Sequence, residues 1–153
     1  LMIVDLERND LGRIADIGSV AVDRLGYVVE LPHLYHMVSR VSCRVGPQVG
    51  VAEILRATFP GGSITGAPKI RAMEIIAELE PVERGPYTGA IGYFGPGQAM
   101  DLAIAIRTGV LSATELVLGV GGGIVADSSV ARELTETEEK AAGWRQALAE
   151  LTR

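Results

Sequence analysis

Glu133, Glu136 and Lys140 stand at intervals of three and four in the segment ADSSVARELTETEEKAAGWRQALAELTR, so on a helix they share one face. Two carboxylates at that spacing can hold one hard divalent cation such as Mg2+ through oxygen, leaving coordination positions for water or an anionic ligand. The competing reading is a solvated acidic face near a helix start, where the helix dipole favours negative charge. A second stretch, GGSITGAPK, brings Gly61, Gly62, Gly66 and the hydroxyls of Ser63 and Thr65 up to a helix whose first N–H groups lack helical partners. Such a loop can receive a phosphate or a carboxylate. A nucleotide-binding P-loop is disfavoured, because Lys69 follows Ala-Pro and the preceding EILRATF reads as a helix and not a strand. A tight turn that caps the helix fits the same residues equally well.

The elements that must position these groups follow one another without linker, repeat or low-complexity tract. Residues 1–6, LMIVDL, read as a buried strand, and ERNDLGRIADIG as a polar connector ending near Gly18. Short strands are expected at 19–23 and 27–30, an extended segment at 36–45 and a helix at 51–58. Pro68 suits the first position of a helix over 68–80, with Thr65 or Gly66 as its cap, Ile70, Met73, Ile76 and Leu79 as its apolar stripe, and Lys69 and Arg71 outward, with service to the anion loop as the alternative for Lys69. TGAIGYFG, GPGQ and DLAIAIRTGVL make a hairpin pattern that sets Leu102, Ile104 and Ile106 on one face and Ala103, Ala105 and Arg107 on the other. The next strand, ELVLGVGGGIVA, breaks at Gly121, Gly122 and Gly123, where another backbone or a ligand would have to come close. The last helix, 129–151, has Asp127 or Ser128 to cap it and Leu134, Ala141, Trp144, Leu148 and Leu151 as its apolar face. The pattern predicts an α+β fold of layered, mostly antiparallel sheets with helices packed outside.

Composition bounds the setting. The 153 residues are 48% hydrophobic and 22% charged, enough for one cored domain. With 14 basic residues against 19 acidic ones the net charge is -5, which argues against non-specific nucleic-acid binding. No apolar run is long enough to span a bilayer, so no membrane partner is expected. Cys43 is the single cysteine; no internal disulfide can form, which suits a reducing cytoplasm. A chain that opens inside an apolar run is expected to be the C-terminal piece of something longer.

LMIVDLERNDLGR, GGSITGAPKIRAMEIIAELEP, RGPYTGAIGYFG, DLAIAIRT and GGGIVADSSVARELTETEEKA together resemble the chorismate-utilising enzymes, which include aminodeoxychorismate synthase component I and anthranilate synthase component I. The match covers nearly the whole chain in the family's order, so residues 1–153 are expected to be the C-terminal portion of one chorismate-binding domain. The form GGSITGAPK with LMIVDLERND looks closer to the aminodeoxychorismate (para-aminobenzoate, folate) branch than to the anthranilate (tryptophan) branch, with isochorismate and salicylate synthases third.

The resemblance implies Mg2+-dependent amination of chorismate, with ammonia from a glutamine amidotransferase subunit or domain. It makes Glu133 and Glu136 metal ligands that hold the ring carboxylate, and Lys140 a basic group of the same site. Tyr87 and Arg107 would bind the enolpyruvyl carboxylate, Gly121 and Gly123 would offer bare N–H groups to a carboxylate, and His36 and Ser63 would act at the departing ring hydroxyl. Arg8, Asn9 and Asp10 fall in a recurrent block at what reads as a strand-to-turn junction, where Asn9 and Asp10 are expected to bond nearby backbone. An upstream lysine that separates the branches, and an N-terminal acidic part of the metal site, would lie outside this chain. The fragment alone is therefore expected to be inactive. A reading from another class, a truncated non-catalytic module that binds partners through an open sheet edge, stays beside the enzyme.

Overall fold

A computed structural model describes residues 1–32 and 34–151; His33, expected at a turn or surface, lies outside them. Helices alternate with three two-stranded antiparallel sheets, a mixed architecture without a barrel. The chain divides into two compact units, Leu1–Pro81 and Val82 onward.

The first unit opens with a helix, α1 (Met2–Gly12), where a strand and a polar connector were expected. Six apolar-rich residues are too short for periodicity to separate a strand from a helix. In the helix Asp5 and Arg8 pair at 3.0 Å across one turn, while Val4 and Asp10 are buried. Two expected short strands are one, β1 (Ala21–Leu31), which pairs with β2 (Leu34–Ser42) through two register shifts around Arg24. Gly26 permits the local bend: it sits at φ +59° and donates its N–H to Ser39 Oγ at 3.0 Å. Helix α2 (Val51–Thr58) falls where the sequence places it, and Glu53 turns back to accept the Gly50 N–H at 3.1 Å.

The GGSITGAPK stretch is more structured than a cap. Gly62–Thr65 form one short turn, α3, which Gly66 ends at φ 104°, a backbone region that favours glycine. Pro68 is extended and is itself the cap, so α4 runs from Lys69 to Leu79.

In the second unit β3 (Ala90–Phe94) and β4 (Met100–Ile104) form the expected hairpin around a 3-10 turn at Pro96–Gln98, paired from Ala90↔Ile104 to Phe94↔Met100. A smaller pair, β5 (Gly109–Leu111) and β6 (Leu116–Leu118), follows, and β6 stops before the glycine run. The long helix α5 spans Val130–Leu151. Its sheltered positions are Glu133, Thr137, Lys140, Ala141 and Trp144, of which only Ala141 and Trp144 belong to the apolar face read from the sequence. Leu134 and Leu148 are 59% and 41% exposed, and the Leu151 side chain lies outside the described residues. Within this unit α5 turns a polar stripe, not its leucines, toward its neighbours. No described helix is long and apolar enough to cross a membrane.

Candidate functional site

Five of the predicted residues meet in the second unit, around the glycine run and the first turns of α5. Lys140 donates from Nζ to the Gly121 carbonyl at 2.8 Å and pairs with Glu136 Oε1 at 2.6 Å. That ammonium lies one helical turn beyond Glu136, so the i,i+4 spacing legible in the sequence becomes a bridge between helix and glycine run. Its hydrogen bond and charge hold the Glu136 carboxyl below its ordinary range. Glu133 accepts from Ser128 Oγ at 2.5 Å through Oε1, while Oε2 is buried with no hydrogen-bond partner among the described residues. A carboxylate oxygen withdrawn from water without a donor is costly unless something absent completes it.

The glycines make this approach possible. A methyl group on Gly122 would come within 2.8 Å of Glu133 Oε2, and one on Gly121 within 3.0 Å of the Tyr87 hydroxyl. At Gly119 it would run into the Tyr87 ring itself. Gly123, by contrast, faces open space. The backbone N–H groups of Gly121, Gly122 and Gly123 make no hydrogen bond among the described residues, so they are free to donate. Gly119 was not singled out from the sequence, and Gly122 and Ser128 were read there only as part of a strand break and as a helix cap, not as members of this site.

Arg107 departs from its expected place. β4 ends at Ile104, and Arg107 takes a left-handed φ of 54° beyond it, off the alternating face. Its carbonyl accepts the Trp144 indole N–H at 3.1 Å, which fixes this turn against α5 one turn past Lys140. The guanidinium is exposed and unpaired among the described residues. A left-handed non-glycine residue is a local cost that surrounding contacts must hold in place.

In the first unit the structure places Ser63 and His36 apart in chemistry. His36 stands opposite Val29 on β2, exposed and without a polar partner among the described residues, so it is not the satisfied core histidine that a strand would otherwise suggest. Ser63 donates from Oγ to Glu7 Oε1 at 3.0 Å. Beside it, Asp10 Oδ2 accepts the Gly62 N–H at 2.7 Å, and Asp10 Oδ1 pairs with Lys69 Nζ at 2.7 Å, with side chains 2% and 9% exposed. Lys69 also donates to the Ala57 carbonyl at 2.9 Å. The lysine expected on the outer face of α4 is thus buried and committed, and Asp10 reaches backbone 52 residues away instead of nearby. A cavity of about 490 Å³ beside this pair is lined by Asn9, Arg13, Gly66 and Pro68 among others.

The donor set of Glu133 and Glu136 fits a hard cation: two carboxylates, one of them with a sequestered, unsatisfied oxygen. Among the described residues no group of three or more His, Cys, Asp or Glu side chains is placed to hold a metal. The two glutamates would supply part of a coordination shell, a share Mg2+ commonly takes from protein.

A family model described as chorismate binding enzyme matches residues 1–145. Aminodeoxychorismate synthase component 1 of Klebsiella aerogenes is 53% identical over 140 residues, covering 92% of this chain and 31% of that protein. Anthranilate synthase component 1 of Pseudomonas aeruginosa is 48% identical over 149 residues, covering 97% of this chain and 30% of that protein. The crystal structure of anthranilate synthase component I from Streptococcus pneumoniae TIGR4 superposes with a TM-score of 0.83 at 46% identity, covering 92% of this chain and 32% of that one. The chain therefore spans about a third of the length of the relatives it matches.

Proposed function

From the premise that the chain belongs to the chorismate binding enzyme family, we propose that it is the site-bearing C-terminal part of a synthase that aminates chorismate. The aminodeoxychorismate branch is the first reading, supported by the GGSITGAPK form and by 53% identity to a relative of that name. Anthranilate synthase is the second, supported by 48% identity and a TM-score of 0.83 to proteins so named. The observation that carries the enzyme reading is the buried, unpartnered Oε2 of Glu133 beside the bare backbone of Gly122.

Glu133 and Glu136 would hold Mg2+, which when bound neutralises the ring carboxylate and draws charge toward it. Lys140 keeps the glycine run in position by its bond to the Gly121 carbonyl and keeps Glu136 ionised. The free N–H groups of Gly121 and Gly123 and the hydroxyl of Tyr87 are donors for a substrate carboxylate. Arg107, exposed and unpaired, supplies a planar two-point donor for the enolpyruvyl carboxylate. His36, exposed on β2, offers an imidazole for a hydrogen bond to the departing hydroxyl. Ammonia would come from a glutamine amidotransferase partner, in a reducing cytoplasmic setting that a lone Cys43 suits.

The test is mass-spectrometric identification of the product that the full-length protein makes from chorismate, Mg2+ and ammonium. A product that keeps the enolpyruvyl group assigns the first branch, and anthranilate with released pyruvate assigns the second. Glu133→Gln and Glu136→Gln are each expected to raise the Mg2+ needed for half-maximal turnover by 10-fold or more, about 1.4 kcal/mol, whereas Glu138→Gln leaves it unchanged. No aminated product, or identical Mg2+ titrations for all three variants, refutes the reading.

A further inference from the structure

Helix α1 carries two carboxylates, Glu7 and Asp10, three residues apart and so on one face, and they grip two consecutive residues of the glycine loop. Asp10 fixes the loop backbone. Its Oδ2 holds the Gly62 N–H at 2.7 Å, and its Oδ1 holds Lys69 at 2.7 Å on the far side of the loop. With Gly62 and Lys69 both tied to one carboxylate, the backbone at Ser63 has little freedom. Gly62 is also sterically tight, since a methyl group there would lie 3.3 Å from Asp10 Oδ2 and from Leu6 Cβ.

Glu7 then acts on the Ser63 side chain itself. A serine hydroxyl has one proton to give and two lone pairs that accept, and a carboxylate only accepts. The bond from Ser63 Oγ to Glu7 Oε1, 3.0 Å long and partly buried, therefore commits the only proton of that hydroxyl. A bond to a charged acceptor is stronger than one between neutral groups, so the proton is not readily lent elsewhere. What Ser63 shows to a ligand is its lone pairs.

We infer that Glu7 is a positioning residue that makes Ser63 a hydrogen-bond acceptor, so that the ligand group received there is a donor, a hydroxyl or an ammonium, and not a carboxylate. This rests on the chorismate reading above and deepens it. Of the polar groups on chorismate, only the ring hydroxyl can donate, and both carboxylates are excluded from Ser63 by lone-pair and charge repulsion. The role expected for Ser63 at the departing oxygen changes accordingly, because Ser63 accepts from that hydroxyl before it leaves and does not protonate it.

The experiment uses the full-length protein as wild type, Glu7→Ala, Ser63→Ala and the double variant. The first measurement needs no ligand: urea unfolding of the four proteins gives the coupling between the two positions. A direct, partly buried, charge-assisted bond predicts a coupling of about 5-fold in the folding equilibrium constant. The second measurement is binding and turnover of chorismate and binding of its analogue lacking the ring hydroxyl. Glu7→Ala is expected to raise KM for chorismate about 5- to 10-fold with kcat changed less than 2-fold, the pattern of a lost ground-state contact. It should leave binding of the deoxy analogue unaltered, and it should have no further effect in the Ser63→Ala background. Absence of coupling in the first measurement overturns the Glu7–Ser63 pair. Equal weakening of both ligands, or a Glu7→Ala effect that persists without Ser63, shows a merely structural Glu7 and overturns the inference. A wild type that does not bind chorismate while the coupling stands overturns the functional reading, and with it the ligand assignment at Ser63, but not the pair.

Discussion

Asp10 and Lys69 form the most buried ion pair described in the first unit, at 2.7 Å with side chains 2% and 9% exposed, and its energetics give a sharp test. Lys69→Met removes the cation and leaves a carboxylate shut away with a single donor, the Gly62 N–H. Breaking a buried pair from one side costs about 3–5 kcal/mol, because the remaining charge is uncompensated. Asp10→Asn leaves the ammonium with only the Ala57 carbonyl and costs about 3 kcal/mol by the same reasoning. The double variant contains no buried charge. Its Asn oxygen still accepts from Gly62 N–H, and methionine fills the volume of the lysine stem, so about 1–2 kcal/mol should be lost for one amide left without a partner. The double variant is therefore expected to be more stable than either single variant. Urea unfolding of the full-length proteins reads the global term, and hydrogen exchange at Gly62 reads the local one, where 3 kcal/mol corresponds to more than a 100-fold loss of protection. A double-variant penalty equal to the sum of the singles would refute the argument, since it would mean that neither charge depends on the other.

Two further expectations concern steric fit and thiol chemistry. Gly92→Ala drives a methyl group into the backbone of Asp101 on the paired strand, so a change that ordinarily helps a strand should instead destabilise by about 1–3 kcal/mol, while Gly143→Ala in α5, with open space around it, should stabilise by about 1 kcal/mol. Thermal unfolding compares the two, and equal signs would contradict the packing at β3–β4. Cys43 is half-buried, and its thiol is pushed above the ordinary range by burial first and by Asp16 second. Only the thiolate reacts, so alkylation at pH 8 should be slower than for a free thiol and should rise as pH climbs through the raised value, with Asp16→Asn accelerating it only slightly. Peptide mass spectrometry follows the rate, and alkylation as fast as that of a free thiol would refute it.

Much of the local structure was legible where one signal dominated. α2, α4 and α5 follow from periodicity and turn residues within a residue or two at their ends, and the β3–β4 hairpin follows too, although its second strand stops at Ile104, short of the expected Arg107. The opening helix was not legible, because LMIVDL satisfies a buried strand and a helix alike, and its polar continuation looked like a connector until Asp10 found Gly62. The stripe of α5 misled for a different reason. Apolar spacing marks where a core would be, and Ala141 and Trp144 of that stripe are sheltered, but Leu134 and Leu148 are exposed while Glu133, Thr137 and Lys140 turn inward, where Lys140 bonds to the glycine run. Of the candidate site, the carboxylate spacing and the glycine triplet could be read directly. The left-handed turn at Arg107 and the burial of Lys69 are set by partners 37 and 12 residues away, which local pattern does not contain.

The grip of α1 on the glycine loop also bears on the order in which the chain assembles. Asp10 and Gly62 are 52 residues apart, and the chain between them includes the β1–β2 hairpin, which can form from neighbouring residues alone. The cost of joining two distant points grows only with the logarithm of the free chain between them, and a hairpin formed first shortens that free chain. Contacts between near residues arise in microseconds, and those that close long loops come later. On this reasoning Ser63 is expected to acquire its bond to Glu7 after the strands have paired. A nascent chain carries the residues of the site long before it carries their geometry.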